Sequence, residues 1–302
     1  MELTGLHFLL TYQCTFECDH CFVWGSPHQS GIMTLPDIRF FLQQAAETGT
    51  ITSVAFEGGE PFLHYETLLG AVRLAAGMGF DVSLVSNGYW ATSPKAALAR
   101  LRPLAGLIQS LSISSDLYHY DEQLSRQARH ALDAAGQLGI AASIMSIALA
   151  SNHDAPTVVG QLPPGETGVM YRGRAAVRLS SNYARKPTAE FTACTHENLR
   201  NPGRVHLDAL GNLHICQGIV IGNLFETTLR EVCATYDPDT HPVTGPLLAG
   251  GPLELARRYG LTPGAGYVDA CHLCYETRLA LRERLPAALR PGQMYGVVSK
   301  SA

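Results

Sequence analysis

The sequence holds no apolar run of 18 residues, so no segment is long enough to cross a bilayer as a helix. Its first residues, MELTGLHFLLTYQC, lack the basic stretch and small-residue cleavage site of a secretion signal. Positive charge is also scarce. Lys and Arg number 22 against 26 Asp and Glu, giving a net charge of −4. That balance argues against a large nucleic-acid footprint, which would be basic. There is no internal repeat and no low-complexity tract. With 46% apolar and 16% charged residues, the composition is that of a folded globular chain. At 302 residues such a chain buries roughly 75% of its unfolded surface and needs no disulfide staples. A cytoplasmic chain with eight reduced cysteines, open to metals, is the expectation.

Up to about residue 178, β-rich runs alternate with helical periodicity. Strands are predicted at 6–12, 53–58, 81–86, 110–115, 142–149 and 167–173, and helices at 35–49, 65–79, 93–104 and 124–139. Strand–helix alternation with largely apolar strands predicts a parallel sheet covered on its faces. Six units fall short of the eight of a closed barrel. The expected fold is α/β, a partial (β/α)6 TIM-like barrel over residues 1–180, with chemistry at the C-terminal strand ends. Residues 181–302 predict a small C-terminal cluster-binding α+β domain: a hairpin at 204–216, a helix at 226–236, a Pro/Gly-rich loop at 237–252 and a helix at 270–285.

Cys14, Cys18 and Cys21 stand within CTFECDHC, just past the first predicted strand. Three thiolates on a [4Fe–4S] cluster leave one iron open, as a catalytic metal site requires. A zinc site is the plainer alternative for such a loop taken alone. EGGEP (57–61) ends the second strand: Gly58 and Gly59 allow close backbone approach, Glu60 can accept from an ammonium, and Pro61 follows. SNG (86–88) and SISSD (112–116) end the next two strands, and YRGRA (171–175) ends the last.

The cysteine spacing on this loop, followed by GGEP, resembles the radical S-adenosylmethionine (radical SAM) enzymes. In the family an aromatic residue often precedes the third cysteine; here it is His20. The resemblance implies that the open iron binds SAM, which is cleaved by one electron to a 5′-deoxyadenosyl radical. It implies cofactor contacts from Gly58, Gly59, Glu60, Pro61, Ser86, Asn87, Ser114 and Arg174. It also implies an external electron donor such as flavodoxin or ferredoxin.

Cys194, Cys216, Cys271 and Cys274 form a second, four-thiol set. It resembles the Twitch and SPASM extensions of the same enzymes, which hold an auxiliary [4Fe–4S] cluster. The 16 residues between Cys194 and Gly211 slightly exceed the family's usual interval. A structural zinc knuckle is the alternative, with His196, His214 and His272 nearby. Asp116 and His119 are candidates to position substrate or take a proton, against plain loop capping. Cys233 reads as a core cysteine of an amphipathic helix or as a hydrogen-atom donor.

The expected function is a radical SAM oxidoreductase. It removes a hydrogen atom from a small molecule and passes an electron to the auxiliary cluster. Modification of a ribosomal peptide, epimerisation through Cys233, and a metal-binding scaffold without turnover are the alternatives. The short run before the first strand leaves no place for a leader-binding domain, which favours a small molecule.

Overall fold

The structure is a computed structural model that describes residues 1–122, 124–149 and 165–298. The N-terminal half runs β1 (Leu3–Leu9), α1 (Leu35–Thr48), β2 (Ser53–Glu57), α2 (Tyr65–Gly77), β3 (Asp81–Ser86), α3 (Pro94–Leu101), β4 (Ser110–Ser114), α4 (Arg126–Gln137), β5 (Ala141–Ile147) and β6 (Gly165–Thr167). Local chemistry sets the helix limits. Thr34 and Asp37 form a capping box ahead of α1, and Gly49 closes it at φ 73°. Ser93 and Ser125 cap α3 and α4 by accepting from Ala96 and Ala128 amides.

β1 to β6 are parallel and consecutive in the sheet, as expected of an open barrel. The strands are less uniformly apolar than predicted: they alternate. Leu6, Phe8, Val54, Phe56, Val82, Leu84, Leu111 and Ile113 are buried in one core with the apolar faces of α1 to α4. The opposite face is polar. His7, Ser53, Ser83, Ser110, Ser112 and Ser143 line a cavity of about 600 Å³ at the N-terminal end of the barrel. An incomplete barrel does not exclude water from its interior, so serine is tolerated there.

The C-terminal half runs α5 (Arg174–Arg178), β7 (Lys186–Pro187), β8 (Gly203–Asp208), β9 (Asn212–Cys216), β10 (Ile219–Asn223), α6 (Leu229–Thr235), α7 (Thr244–Arg258), β11 (Gly266–Tyr267) and α8 (Ala270–Leu281). The predicted hairpin is β8–β9, with Gly211 at φ 79°. It does not stand apart. β8 pairs parallel with β1, His206 opposite His7, so the sheet runs on through residue 180 in the order β10-β9-β8-β1-β2-β3-β4-β5-β6.

Two expectations are corrected. The strand predicted at 167–173 is the three-residue β6, ending at Thr167, and the chain then leaves the sheet for α5. The predicted loop at 237–252 contains most of α7, because Leu247, Leu253, Leu255 and Ala256 are buried on it. Its Gly250, Gly251 and Pro252 mark a kink rather than a loop, with Gly251 at φ 66°.

Candidate functional site

Past Leu9 the chain keeps pairing with the end of β2. The Leu10 amide donates to Glu57 O (2.8 Å), the Gly59 amide to Thr11 O (2.7 Å) and the Glu60 amide to Gln13 O (2.8 Å). This contact explains the two glycines. A β-carbon on Gly58, at φ 141°, would lie 2.5 Å from Thr11 O, and one on Gly59 would lie 2.0 Å from Gln13 O. The GGEP segment is therefore a backbone clamp on the loop that carries the cysteines.

Cys14, Cys18 and Cys21 line one cavity of about 160 Å³ at the C-terminal strand ends, with Gly58, Gly59, Ser86, Asn87, Ser114, Asp116 and His119. The sulfurs already have donors. The Gly25 amide reaches Cys21 Sγ (3.2 Å), the Phe16 amide Cys14 Sγ (3.5 Å) and Asn87 Nδ2 Cys14 Sγ (3.6 Å). Burial, with nearby Glu60, pushes the Cys14 thiol up to about 12, and burial also raises Cys18. Free Cys14 and Cys18 thiols here stay protonated, and only a strongly binding metal centre would take them as thiolates.

Several predicted cofactor contacts are committed elsewhere. Glu60 is fully buried. Its Oε1 accepts from the Phe62 amide (3.0 Å) and the Ser86 hydroxyl (2.9 Å), and its Oε2 from the Asn87 amide (2.7 Å). Burial pushes its carboxyl up to about 7, against the pull of those three bonds. Glu60 thus ties the end of β2 to the end of β3, with three of its roughly four acceptor positions taken inside the protein. Pro61 opens the turn that follows. Ser86 also accepts from Trp90 Nε1 (2.9 Å), and Asn87 Nδ2 donates to Thr15 Oγ1 (2.9 Å).

Arg174 is corrected more sharply. Residues 168–173 are not a strand, and the chain turns at Gly173 into α5. Gly173 (φ 59°) presses against the cysteine loop, where its β-carbon would meet Cys21 O and Phe22 O at 2.6 Å. Arg174 then folds back: its amide donates to Cys21 O (2.9 Å), Nη1 to Cys18 O (2.8 Å) and Nη2 to Gly25 O (2.8 Å). It braces the loop from behind. Arg172 goes the other way, towards the second cysteine set.

Asp116 and His119 are both at the cavity, and capping and site geometry coincide. Asp116 Oδ1 accepts from the Tyr118 amide (2.9 Å) and is 2.8 Å from His119 Nδ1, while Oδ2 accepts from the Ile147 amide (3.1 Å). Burial alone would raise this carboxyl, but His119 and His20 hold it well below the usual range. His20 Nε2 stands 3.6 Å from Oδ2. Cys18, His20 and His119 bring their ligand atoms within 4.8 Å of one another. At the cavity floor, Glu57 Oε1 lies 3.1 Å from His7 Nδ1 and 3.0 Å from His206 Nε2, a cluster the sequence reading missed. Cys233 is elsewhere. It packs against the core on α6, and its carbonyl accepts from the Met1 amino group (2.7 Å), near the start of β1. Six strand steps, about 20 Å, separate the two ends of β1, so of the two readings of Cys233 the packing favours the core cysteine.

Cys194, Cys216, Cys271 and Cys274, 80 residues apart from first to last, line a second cavity together. Cys216 ends β9, and Cys271 and Cys274 lie in the first turns of α8, capped by Asp269 Oδ1 accepting from the His272 amide (2.7 Å). Burial pushes Cys194 up to about 12 and raises Cys271 and Cys274. Two buried arginines share the lining. Arg172 Nη1 is 3.2 Å from Glu197 Oε1 and 3.6 Å from Cys216 Sγ; Arg278 Nη1 donates to Gln217 O. His214 is bonded to Asp208 (3.0 Å) and His272 to Glu276 (3.0 Å), which removes both from the cavity's donor set.

Residues 8–153 match the family model of the Radical SAM superfamily. The matched stretch, just under half of the chain, carries Cys14, Cys18, Cys21 and GGEP, and in this it is similar to radical SAM enzymes, which use SAM and a [4Fe–4S] cluster. Over 111 residues it is 32% identical to the putative peptide biosynthesis protein YydG of Bacillus subtilis (strain 168), covering 36% of this chain and 35% of that one. Over 86 residues it is 29% identical to an S-adenosylmethionine-dependent nucleotide dehydratase of Selenomonas ruminantium, covering 28% and 30%. The matched stretches thus span about a third of those relatives' lengths. Native anSMEcpe with bound AdoMet has a similar fold, at TM-score 0.50 and 12% identity, covering 94% of this chain and 98% of that one. Among the described residues, no helix is long and apolar enough to cross a membrane.

Proposed function

We propose that this chain is a radical SAM oxidoreductase with a second, fully protein-ligated iron–sulfur cluster, acting on a small polar molecule. The observation that carries this reading is the convergence of Cys194, Cys216, Cys271 and Cys274 on one buried cavity. Four thiolates around a single zinc at 2.3 Å stand about 3.8 Å apart. Among the described residues, neither cysteine set brings three sulfurs within 4.8 Å of one another, whereas His196, Asp269 and Cys271 do bring their ligand atoms that close and are the set a zinc would take instead.

Cys14, Cys18 and Cys21 hold the first cluster, on a loop fixed by Gly58, Gly59 and Arg174. SAM bound there would supply the radical chemistry that removes a hydrogen atom from substrate. His119, held by Asp116, stands at the same cavity to receive the proton that an oxidation releases. The second site offers the substrate's electron an acceptor, and a flavodoxin or ferredoxin supplies the reducing electron for the first.

Iron and acid-labile sulfide in the anaerobically reconstituted protein test this. The expectation is about eight irons in the parent and about four after Cys14, Cys18 and Cys21 are all changed to Ala. About four in the parent, none in the variant and one zinc would reduce the second site to a structural knuckle. The substrate has a second reading, a peptide, favoured by the identity with YydG. Deuterium transfer into 5′-deoxyadenosine separates them: from a labelled polyol or amino sugar on the first reading, from a labelled peptide on the second.

A further inference from the structure

Arg172 and Arg278 are 7% and 2% exposed, and both line the second cysteine cavity. A guanidinium does not shed its proton in a protein, so each is a buried positive charge. Burying an ion is costly unless an opposite charge is near. Arg172 has one carboxylate partner, Glu197. For Arg278, among the described residues, no carboxylate lies within ion-pair distance; it bonds a backbone carbonyl and lies 5.7 and 5.8 Å from the ring centres of Tyr275 and Tyr295. The Nε of each arginine is buried with no hydrogen-bond partner. Native proteins rarely leave such donors unpaired. Two cations with spare donors, beside four sulfurs, call for an anion in the cavity.

A four-thiolate [4Fe–4S] centre has a formal charge of about −2, and about −3 once it gains an electron. Cations at the cavity wall stabilise the second state more than the first. We infer that Arg172 and Arg278 set the reduction potential of the second cluster, holding it high enough to accept an electron from substrate. This rests on the reading that the site holds that cluster. Arg172 also reaches the other site: its guanidinium lies 5.6 Å from the ring centre of Phe22, the residue after Cys21. One side chain thus touches Cys216 on one side and the neighbour of Cys21 on the other. Both arginines are positioning residues, acting through the cluster.

The test is an EPR-monitored redox titration of the full chain with Cys14, Cys18 and Cys21 changed to Ala, so that only the second cluster contributes. Into it go Arg172→Met, Arg278→Met and the matching Lys variants, each with its iron counted. Each Met variant is expected to keep its iron and bind the electron at least tenfold more weakly, a fall of 59 mV for a one-electron couple. The Lys variants, which keep the charge, are expected to stay near the parent. If a Met variant loses its iron while the Lys variant retains iron and the parental potential, charge is again the operative property. Met variants that keep iron and titrate within threefold of the parent overturn the inference, as does loss of iron in the Met and Lys variants alike. A parent with no iron at the second site overturns the cluster reading itself, and that result is read before any arginine is changed.

Discussion

Gly59 has no room for a β-carbon, since Gln13 O would sit 2.0 Å from it with Tyr12 O at 2.8 Å. Both obstacles are backbone, so no rotamer change relieves them. Gly59→Ala must push the cysteine loop off the end of β2, breaking the Gly59 and Glu60 amide bonds to Thr11 and Gln13. The expected result is loss of about four irons, those of the first site, with second-site iron retained and a lower melting temperature. Full iron with an unchanged melting temperature would refute the clamp. Cys233 gives the opposite expectation. It belongs to the core around α1 and α6, away from both cavities. Cys233→Ala should cost about 1 kcal/mol of packing and leave iron content, SAM cleavage and product yield as in the parent. Continued SAM cleavage without product would restore it as a hydrogen donor.

β1, β2 and β8 each place one residue of a buried cluster: His7, Glu57 and His206. Burial pushes His206 down to about 4, against the opposing pull of Glu57. With a folded pKa below its unfolded value near 6.5, His206 lends stability that is present above 6.5 and lost as pH falls towards 4. The same cluster holds Glu57 low, so its own contribution disappears in the same direction, at more acid pH. Denaturant unfolding of the cluster-free protein should show about 2 kcal/mol less stability at pH 5 than at pH 7, a difference that His206→Gln should largely remove. An identical pH slope in parent and variant would show that His206 does not titrate on unfolding.

How much of this was legible follows from distance along the chain. The three-cysteine loop and GGEP are local spacings and could be read directly. The second cysteine set could be grouped, but not its arginines, because the pairing of Arg172 with Cys216 is decided by how residues 168–173 leave the sheet. Arg174 was assigned by resemblance alone, and its bonds to Cys18 O and Gly25 O depend on how the chain leaves the sheet after Gly165–Thr167. In α7 the Gly–Gly–Pro kink hid a helix whose evidence was its buried leucines. His7 and His206 are 199 residues apart, and only the pairing of β8 with β1 brings them together.

That pairing also decides what unit the molecule is. A boundary near residue 180 is natural by motif, since one cysteine set lies on each side. The core does not respect it: Val205, Leu207, Leu213, Leu224, Leu229 and Val232 are buried in the same cluster as Phe8, Phe41 and Phe56. Gln44 on α1 accepts from the Leu229 amide (2.7 Å) and donates to Leu224 O (3.3 Å), joining the helix layer across the same line. Cut at 180, the barrel would expose the edge of β1 and the apolar surface beneath β8 to β10, an invitation to aggregation. Residues 1–180 alone are therefore expected to bind a hydrophobic dye and unfold without a sharp transition, while the full chain unfolds cooperatively. If the fragment instead melts sharply and loads about four irons, the barrel is an independent unit. On the structure's terms it is not: the half that carries the second cysteine set also completes the core that holds the first in place.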